Sequence, residues 1–353
     1  MVLGGTSRRL FLEYKNMKKV FIARTSCISP QESFRTNGFF SSWKAAQAET
    51  DQLHAIEPDY KGIITDAGKR RRMAHLIKMG VSTSLDCLTL PDGNLLIPDA
   101  IMSATAMGGL EDTEKFLRCI IDNGEDLLNP SNFIQSTGNT FGGQTGLLLG
   151  HHGYNVTYAH GGYSMESALT DAMLQLTSGD IKDALVTGAD EITATEYEVM
   201  RKMGFWRGGR QMGEGSSSFL LTTEKEGSVC ELAAVSLLHE TTPKQIANSI
   251  EELANSNQLK ATDIDLVLTG CDCDKAAEKE ISDRFPVTDY KQWCGQYGTK
   301  SGFGLWIGTQ LLSRGIAPKG NQWEQKQLKN IAIYSEYRQN DYTLMLLKMA
   351  QIN

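Results

Sequence analysis

Long apolar runs are missing from this chain. No stretch of its 353 residues approaches the ~18 consecutive apolar residues that span a bilayer, so no membrane span is expected. Positive charge is in deficit. Lys and Arg total 35 against 42 Asp and Glu, a formal net charge of −7, which argues against a nucleic-acid surface. Paired cysteine motifs are missing too. The seven cysteines (27, 87, 119, 230, 271, 273 and 294) are odd in number and scattered, with one Cys271-x-Cys273 pair and no repeated CxxC. Neither a zinc ribbon nor a disulfide framework is expected, and no metal or cofactor is called for. A reducing cytoplasm is the expected compartment. Leu10-Phe11-Leu12 is too short for the ~7–15-residue apolar region of a signal peptide. Residues 1–16 are read as an N-terminal extension ahead of a natural start at Met17.

What is present is ordinary globular composition, 41% apolar and 22% charged, in a chain long enough for one large α/β body or two packed halves. Strand and helix patterns alternate. Strands are expected at "KKVFIART", "AIMSATAMGG" (100–109, ending in a glycine turn), "NVTYAH" and "DALVTGAD". Helices are expected over 71–88, over 111–124 with glycine at its end, over 142–153, and over 163–179. In the last of these Met165, Ala168, Leu169, Ala172, Met173 and Leu176 hold one apolar face. A strand, a glycine turn, a helix and a strand make a βαβ unit, which implies parallel strands. The order recurs after about residue 228: a strand over 230–238, a helix over 242–257 capped by Thr242, a strand over 263–272, a helix over 301–315, and two final strands able to pair. Two halves, 17–228 and 229–353, are expected to pack as one body.

The junction "NVTYAHGGYSMESALTD" (155–171) raises the functional question. In α/β enzymes a nucleophile commonly sits where such a strand turns into a helix. Here the turn is His160-Gly161-Gly162, with no cysteine and with serine only at 164.

In the order and spacing of its motifs the chain resembles the β-ketoacyl-acyl-carrier-protein synthase family, from about Lys18 to Lys348. The carriers of this resemblance are Ile28-Ser29-Pro30, Arg71-Arg72-Met73, "GQTGLLLGHHGYNVT" (143–157), "GEGSSSFLLTTEKE" (213–226) and "YKQWCGQYG" (290–298). The resemblance implies a duplicated thiolase-like α/β fold, layered α/β/α/β/α with two mixed five-stranded sheets. It also implies a site chemistry. In the family a cysteine at a helix N-terminus accepts an acyl group from a carrier thioester. Two histidines then assist decarboxylation of a malonyl unit and stabilise the enolate. Counting along the matching segments places the nucleophile position at Gly162, the first histidine at Gly270 and the second at Gln296, with the family lysine kept as Lys291. The family's closing FGFGG loop is replaced by Glu336-Tyr337-Arg338-Gln339-Asn340-Asp341. A scaffold that keeps its pattern while losing its triad is what a non-catalytic, chain-length-factor-type subunit would look like. Its partner would be an active ketosynthase in a heterodimer, or a second copy in a homodimer, with acyl carrier protein engaged indirectly through that partner. The strand carrying Val156 and Tyr158, with His160, is expected at the subunit interface, and Phe133 and Phe141 near the acyl tunnel.

Each alternative keeps its plainer reading. Ser164 as a nucleophile competes with Ser164 accepting a backbone N–H at the helix start. Cys271, Cys273 and Cys294, with His160, could form a relocated thiol site, but Cys294 also reads as a small buried hydrophobe. Lys291 could be structural, pairing with an acid such as Glu278. The run Lys69-Arg70-Arg71-Arg72 reads equally as a dock for an acidic carrier protein and as a solvated helix. An active condensing enzyme or acyltransferase with relocated residues, and a non-enzymatic scaffold, stand as the competing functions.

Overall fold

The computed structural model describes residues 18–41, 51–124, 126, 128, 130–207, 209–271, 275–338 and 340–350. The expectations for residues 1–16, Cys273 and Gln339 lie outside the described residues.

The first half runs β1 (Phe21–Ile28), α1 (Gly38–Ser41), β2 (Gln52–Leu53), α2 (Ala67–Arg72), α3 (His75–Leu88), β3 (Ala100–Ala104), α4 (Leu110–Asn123), α5 (Pro130–Gln135), α6 (Thr140–Leu149), β4 (Tyr154–Tyr158), α7 (Ser164–Ser178), β5 (Asp183–Asp190), α8 (Ala194–Lys202), β6 (Met212–Gly213) and β7 (Gly215–Thr222). The second half runs β8 (Cys230–Leu238), α9 (Pro243–Ser256), β9 (Leu266–Gly270), α10 (Lys275–Ser282), β10 (Val287–Asp289), α11 (Lys291–Cys294), α12 (Lys300–Arg314), β11 (Ile316–Lys319), β12 (Gln322–Gln325), β13 (Asn330–Arg338) and β14 (Asp341–Met349).

The duplication is explicit in the strand order. In the first half it is β4-β3-β5-β7-β1 and in the second β10-β9-β13-β14-β8. The first three strands of each set pair parallel and the rest antiparallel. The two expected sheets are hydrogen-bonded into one of ten strands. The correction is local: Phe21 and Ile22 of β1 pair antiparallel with Glu231 and Cys230 of β8. The first strands of the two halves meet there over two residues.

Three apolar clusters define the layers. The central one joins Met165, Leu169 and Met173 of α7 and Phe303, Trp306 and Ile307 of α12 to both five-stranded sets, through Val186 and Phe219 on one side and Leu268, Ile333 and Met345 on the other. An outer cluster packs α3 and Phe141 of α6 on the first set. The other packs Ile246, Ile250 and Leu253 of α9 on the second. The α7 positions expected to form one apolar face are all buried.

Some boundaries differ from expectation. The helix expected over 71–88 breaks at Met73 and Ala74, both extended. The Ala74 N–H is held by the side chain of Gln135 at 2.7 Å, so it has left the helical ladder. The strand expected from residue 263 begins at Leu266, because Ala261–Asp263 form a 3-10 turn. No described helix is long and apolar enough to cross a membrane.

Candidate active-site region at the helix elbow

After β4 the chain turns through His160 and a 3-10 turn at Gly161–Tyr163 into α7. Gly161 has φ +60°, a left-handed conformation that glycine adopts without the Cβ clash of other residues. Tyr337 of β13 lies over this turn. A Cβ built on Gly161 would run into the Tyr337 hydroxyl, and one built on Gly162 into the Tyr337 ring. The Tyr163 and Tyr337 rings are 5.2 Å apart, and the Tyr163 hydroxyl donates to the Leu238 carbonyl at 3.1 Å. The space into which a side chain at Gly162 would project is therefore filled by an aromatic ring.

Gly270 ends β9 opposite Ser335 of β13. A Cβ there would run into the Tyr290 hydroxyl, and one on Gly304 of α12 would come within 2.8 Å of the same ring. Tyr290 is fully buried. Its hydroxyl lies beside Ser335 but makes no hydrogen bond of normal geometry. The end of β13 thus touches both positions, Gly270 through Ser335 and Gly162 through Tyr337. Gln296 is on the loop entering α12. Its backbone is fixed by Gln211 O at 2.8 Å and the Gly213 N–H at 3.0 Å, and its side-chain oxygen is buried with no hydrogen-bond partner.

Buried charge surrounds these positions. Lys300 at the start of α12 is 2% exposed and its Nζ donates to the Glu336 carbonyl at 2.9 Å. Glu166, on the first turn of α7, is completely buried and accepts from the Thr343 hydroxyl at 2.7 Å. Burial pushes its pKa up, opposed by its hydrogen bonds and by the charge of Lys300. Asp190 accepts from the Thr105 hydroxyl, the Ala106 N–H and both the N–H and hydroxyl of Thr299, at 2.7 to 2.9 Å. It ties the loop after β3 to the start of α12.

The remaining sequence candidates are dispersed. Ser164 is buried, and its Oγ accepts the His160 N–H at 2.8 Å while directing its hydrogen to Thr105 O (2.9 Å) and Gly161 O (2.8 Å). It locks the turn rather than facing a cavity. His160 is exposed and bonded through Nδ1 to Ser167 at 3.1 Å. Cys294 is fully buried and desolvation drives its thiol pKa well up, away from the thiolate that reactive cysteines need. Cys271 donates to a Glu336 carboxylate oxygen at 3.1 Å and accepts from the Tyr334 hydroxyl at 3.5 Å. Lys291 lies 3.8 Å from Asp289, two residues before it. Phe141 is 1% exposed in the outer core, with its ring against Gly80. Phe133 is 56% exposed and packs against Phe116 with ring centres 5.4 Å apart and planes tilted by 48°. Val156 and Tyr158 are half-buried on β4. Lys69, Arg71 and Arg72 are exposed on α2, whereas the Arg70 guanidinium donates to Ile64 O at 2.5 Å.

Sequence reasoning missed Tyr337, Tyr290, Lys300 and Glu166. The signal for Tyr337 was available: a double glycine at an elbow, and a bulky residue in the segment that replaces a glycine-rich loop, form a complementary pair.

The family model described as beta-ketoacyl synthase, N-terminal domain, matches residues 41–267. No curated protein matches the chain in sequence. Among solved structures, the ishigamide ketosynthase/chain length factor aligns with a TM-score of 0.75 at 15% identity, over 94% of this chain and 99% of that one. A beta-ketoacyl synthase from Burkholderia phymatum STM815 aligns at 0.76 and 14% identity, over 95% and 100%. A type II polyketide ketosynthase bound to a hexaketide, in complex with its acyl-carrier protein (AntDE:AntF), aligns at 0.74 and 11%, over 95% and 100%. At these identities the likeness is one of fold, and it is the thiolase-like fold of ketosynthases. With the family model covering well over half of it, the chain belongs to the beta-ketoacyl synthase family through its N-terminal domain.

Proposed function

We propose that the chain is a ketosynthase-like subunit without condensing activity, a chain-length-factor-type partner of an active 3-oxoacyl-carrier-protein synthase in a type II fatty-acid, polyketide or aryl-polyene-type pathway of the cytoplasm. The observation that carries this reading is the pair of tyrosines. Tyr337 and Tyr290 fill the space that side chains at Gly162 and Gly270 would need. Acyl transfer needs a thiolate in an open, electropositive setting and imidazoles near the developing enolate, and Gly162, Gly270 and Gln296 supply none of these groups.

The partner reading rests on the edge of the sheet. Among the described residues β4 is the last strand on its side, with an unpaired row of backbone groups that invites strand addition. Exposed apolar side chains flank it: Tyr154 on β4 itself, Leu147 on α6 and Leu174 on α7. Subunit interfaces of permanent complexes bury on the order of 2,000–5,000 Å² and are apolar. Carrier protein would be engaged chiefly by the active partner, in keeping with the net charge of −7.

The test is co-expression with an active ketosynthase encoded beside it, followed by incubation with acyl and malonyl carrier proteins. One 1:1 complex is expected, with acyl label on the partner alone by intact-protein mass spectrometry. A stable acyl adduct on this chain would sink the inactive reading. Two independent species at micromolar concentration would favour a scaffold role. Gly162→Cys is expected to give no carbon–carbon bond formation, because a single thiol restores neither imidazole.

A further inference from the structure

A cavity of about 210 Å³ opens between β1, the loop after it and the end of α12. It lies apart from the elbow and the β4 edge. Its walls are polar: Thr25, Ser26, Arg35, Thr36, Arg314 and Gln310 contribute, with Asp86 as the one carboxylate among the described lining residues.

The hydrogen bonding leaves donors in excess. Arg314 gives Nε to Gln310 at 3.0 Å and Nη2 to Asn37 at 2.8 Å, and among the described residues Nη1 has no hydrogen-bond partner. Its guanidinium stacks over Phe40 at 4.5 Å and meets no carboxylate among the described residues. Burial lowers its pKa, the mark of a desolvated cation. Arg35 donates Nε to Asp86, which orients the guanidinium and leaves its two terminal nitrogens. Thr25 accepts from Gln310 Nε2 at 3.3 Å, and Thr36 accepts from the Gly38 N–H at 3.1 Å. Both hydroxyl hydrogens therefore remain to donate. The Ser26 hydroxyl is buried with no partner. Arg35 is held at φ +52°, a backbone state that a non-glycine residue leaves unless its surroundings impose it.

We propose that this cavity binds a phosphate-class oxyanion, held between Arg314 and Arg35 and completed by the hydroxyls of Thr25 and Thr36. A tetrahedral oxyanion offers acceptors on several sides, which suits donors arriving from a strand, a loop and a helix. A planar carboxylate would use two of them. The local charge of two arginines and one aspartate is positive in a chain whose overall charge is negative. The ion could be free inorganic phosphate or the terminal group of a small phosphate monoester.

The experiment uses the full chain, alone or in its complex. Thermal unfolding is followed while potassium phosphate replaces potassium chloride at constant ionic strength, and binding is measured by calorimetry with phosphate and with glycerol phosphate. A saturable rise in Tm is expected for the wild type. R314Q and, separately, R35Q should each weaken binding about tenfold or more, as loss of a charge-assisted hydrogen bond predicts. Tighter binding of glycerol phosphate than of phosphate would identify a monoester as the ligand, and the reverse order the free ion. No saturable heat with either, or an equal rise in Tm in wild type and both variants, would overturn the proposal and leave Arg314 as a helix C-terminal cation alone.

Discussion

Adding a methyl group at Gly162 drives it into the Tyr337 ring, so Gly162→Ala is expected to cost about 1–3 kcal/mol by overpacking. Tyr337→Gly in the same chain takes away both the ring and the Tyr337 Cβ that lies 2.9 Å from the added methyl, and should remove most of that cost. Urea denaturation of the two single variants and the double variant measures the coupling, and simple additivity would mean that the ring does not occupy the elbow. Phe141 makes the complementary case. It sits in the outer core, and Phe141→Ala should lower stability by about 3–5 kcal/mol. A third residue sets a pH dependence. His75 faces Glu57 at 3.2 Å, Glu191 at 3.7 Å and Glu214 at 3.9 Å, with His54 bonded to the same Glu214. Burial alone would pull the His75 pKa down, but the Glu57 carboxylate beside it and the charges of Glu214 and Glu191 outweigh it and raise it from 6.5 to about 9. Desolvation raises Glu191 from 4.5 to about 7. Both groups hold their protons more tightly in the folded chain, so their stabilisation is complete at acid pH and is lost as pH rises, through 7 for Glu191 and through 9 for His75. Tm should therefore fall between pH 6.5 and 9, and His75→Gln should flatten the alkaline part of that fall. At this scale the site was legible only as a set of absences. Glycine and glutamine stand at the counted positions, but which side chains fill the vacated space depends on strands that meet only in the fold.

The buried face of α12 is cut close to the second set of strands. A Cβ at Gly308 would meet Leu347 at 2.7 Å, so Gly308→Leu is expected to destabilise by about 1–3 kcal/mol, read as a shift in urea midpoint without a change in slope. An unchanged midpoint would mean that α12 can slide on the sheet. Elements of this length were legible in the sequence. The α7 apolar face, β8 over 230–238 and the paired final strands were expected from periodicity and are observed. Shorter pieces were not. β10 has three residues and β2 and β6 have two each, less than two strand periods, and no pattern can show in so few positions. The break before α3 was equally hidden, because its cause is Gln135, sixty-one residues away. Val156→Asp on β4 belongs to this scale as well. It should leave the far-ultraviolet spectrum of the chain intact while abolishing co-purification with a ketosynthase, since an unpaired charge in a dry interface is strongly destabilising.

The central cluster draws side chains from both halves onto α7 and α12, so neither half has a complete core of its own. The whole chain should unfold in one calorimetric transition with equal calorimetric and van't Hoff enthalpies, and a fragment ending near residue 228 should fail to give a cooperative transition. Two separated transitions would show that the halves are independent domains. The ten-stranded sheet also sets how many neighbours the molecule can take. Among the described residues it has two free borders, and they are unequal: five residues at β4 and three at β10. A partner that joins antiparallel at β4 uses up the longer border of both molecules and leaves a three-residue stub at each far end. The valency of the chain through its sheet is then one, and growth stops at a pair instead of running on into a fibre.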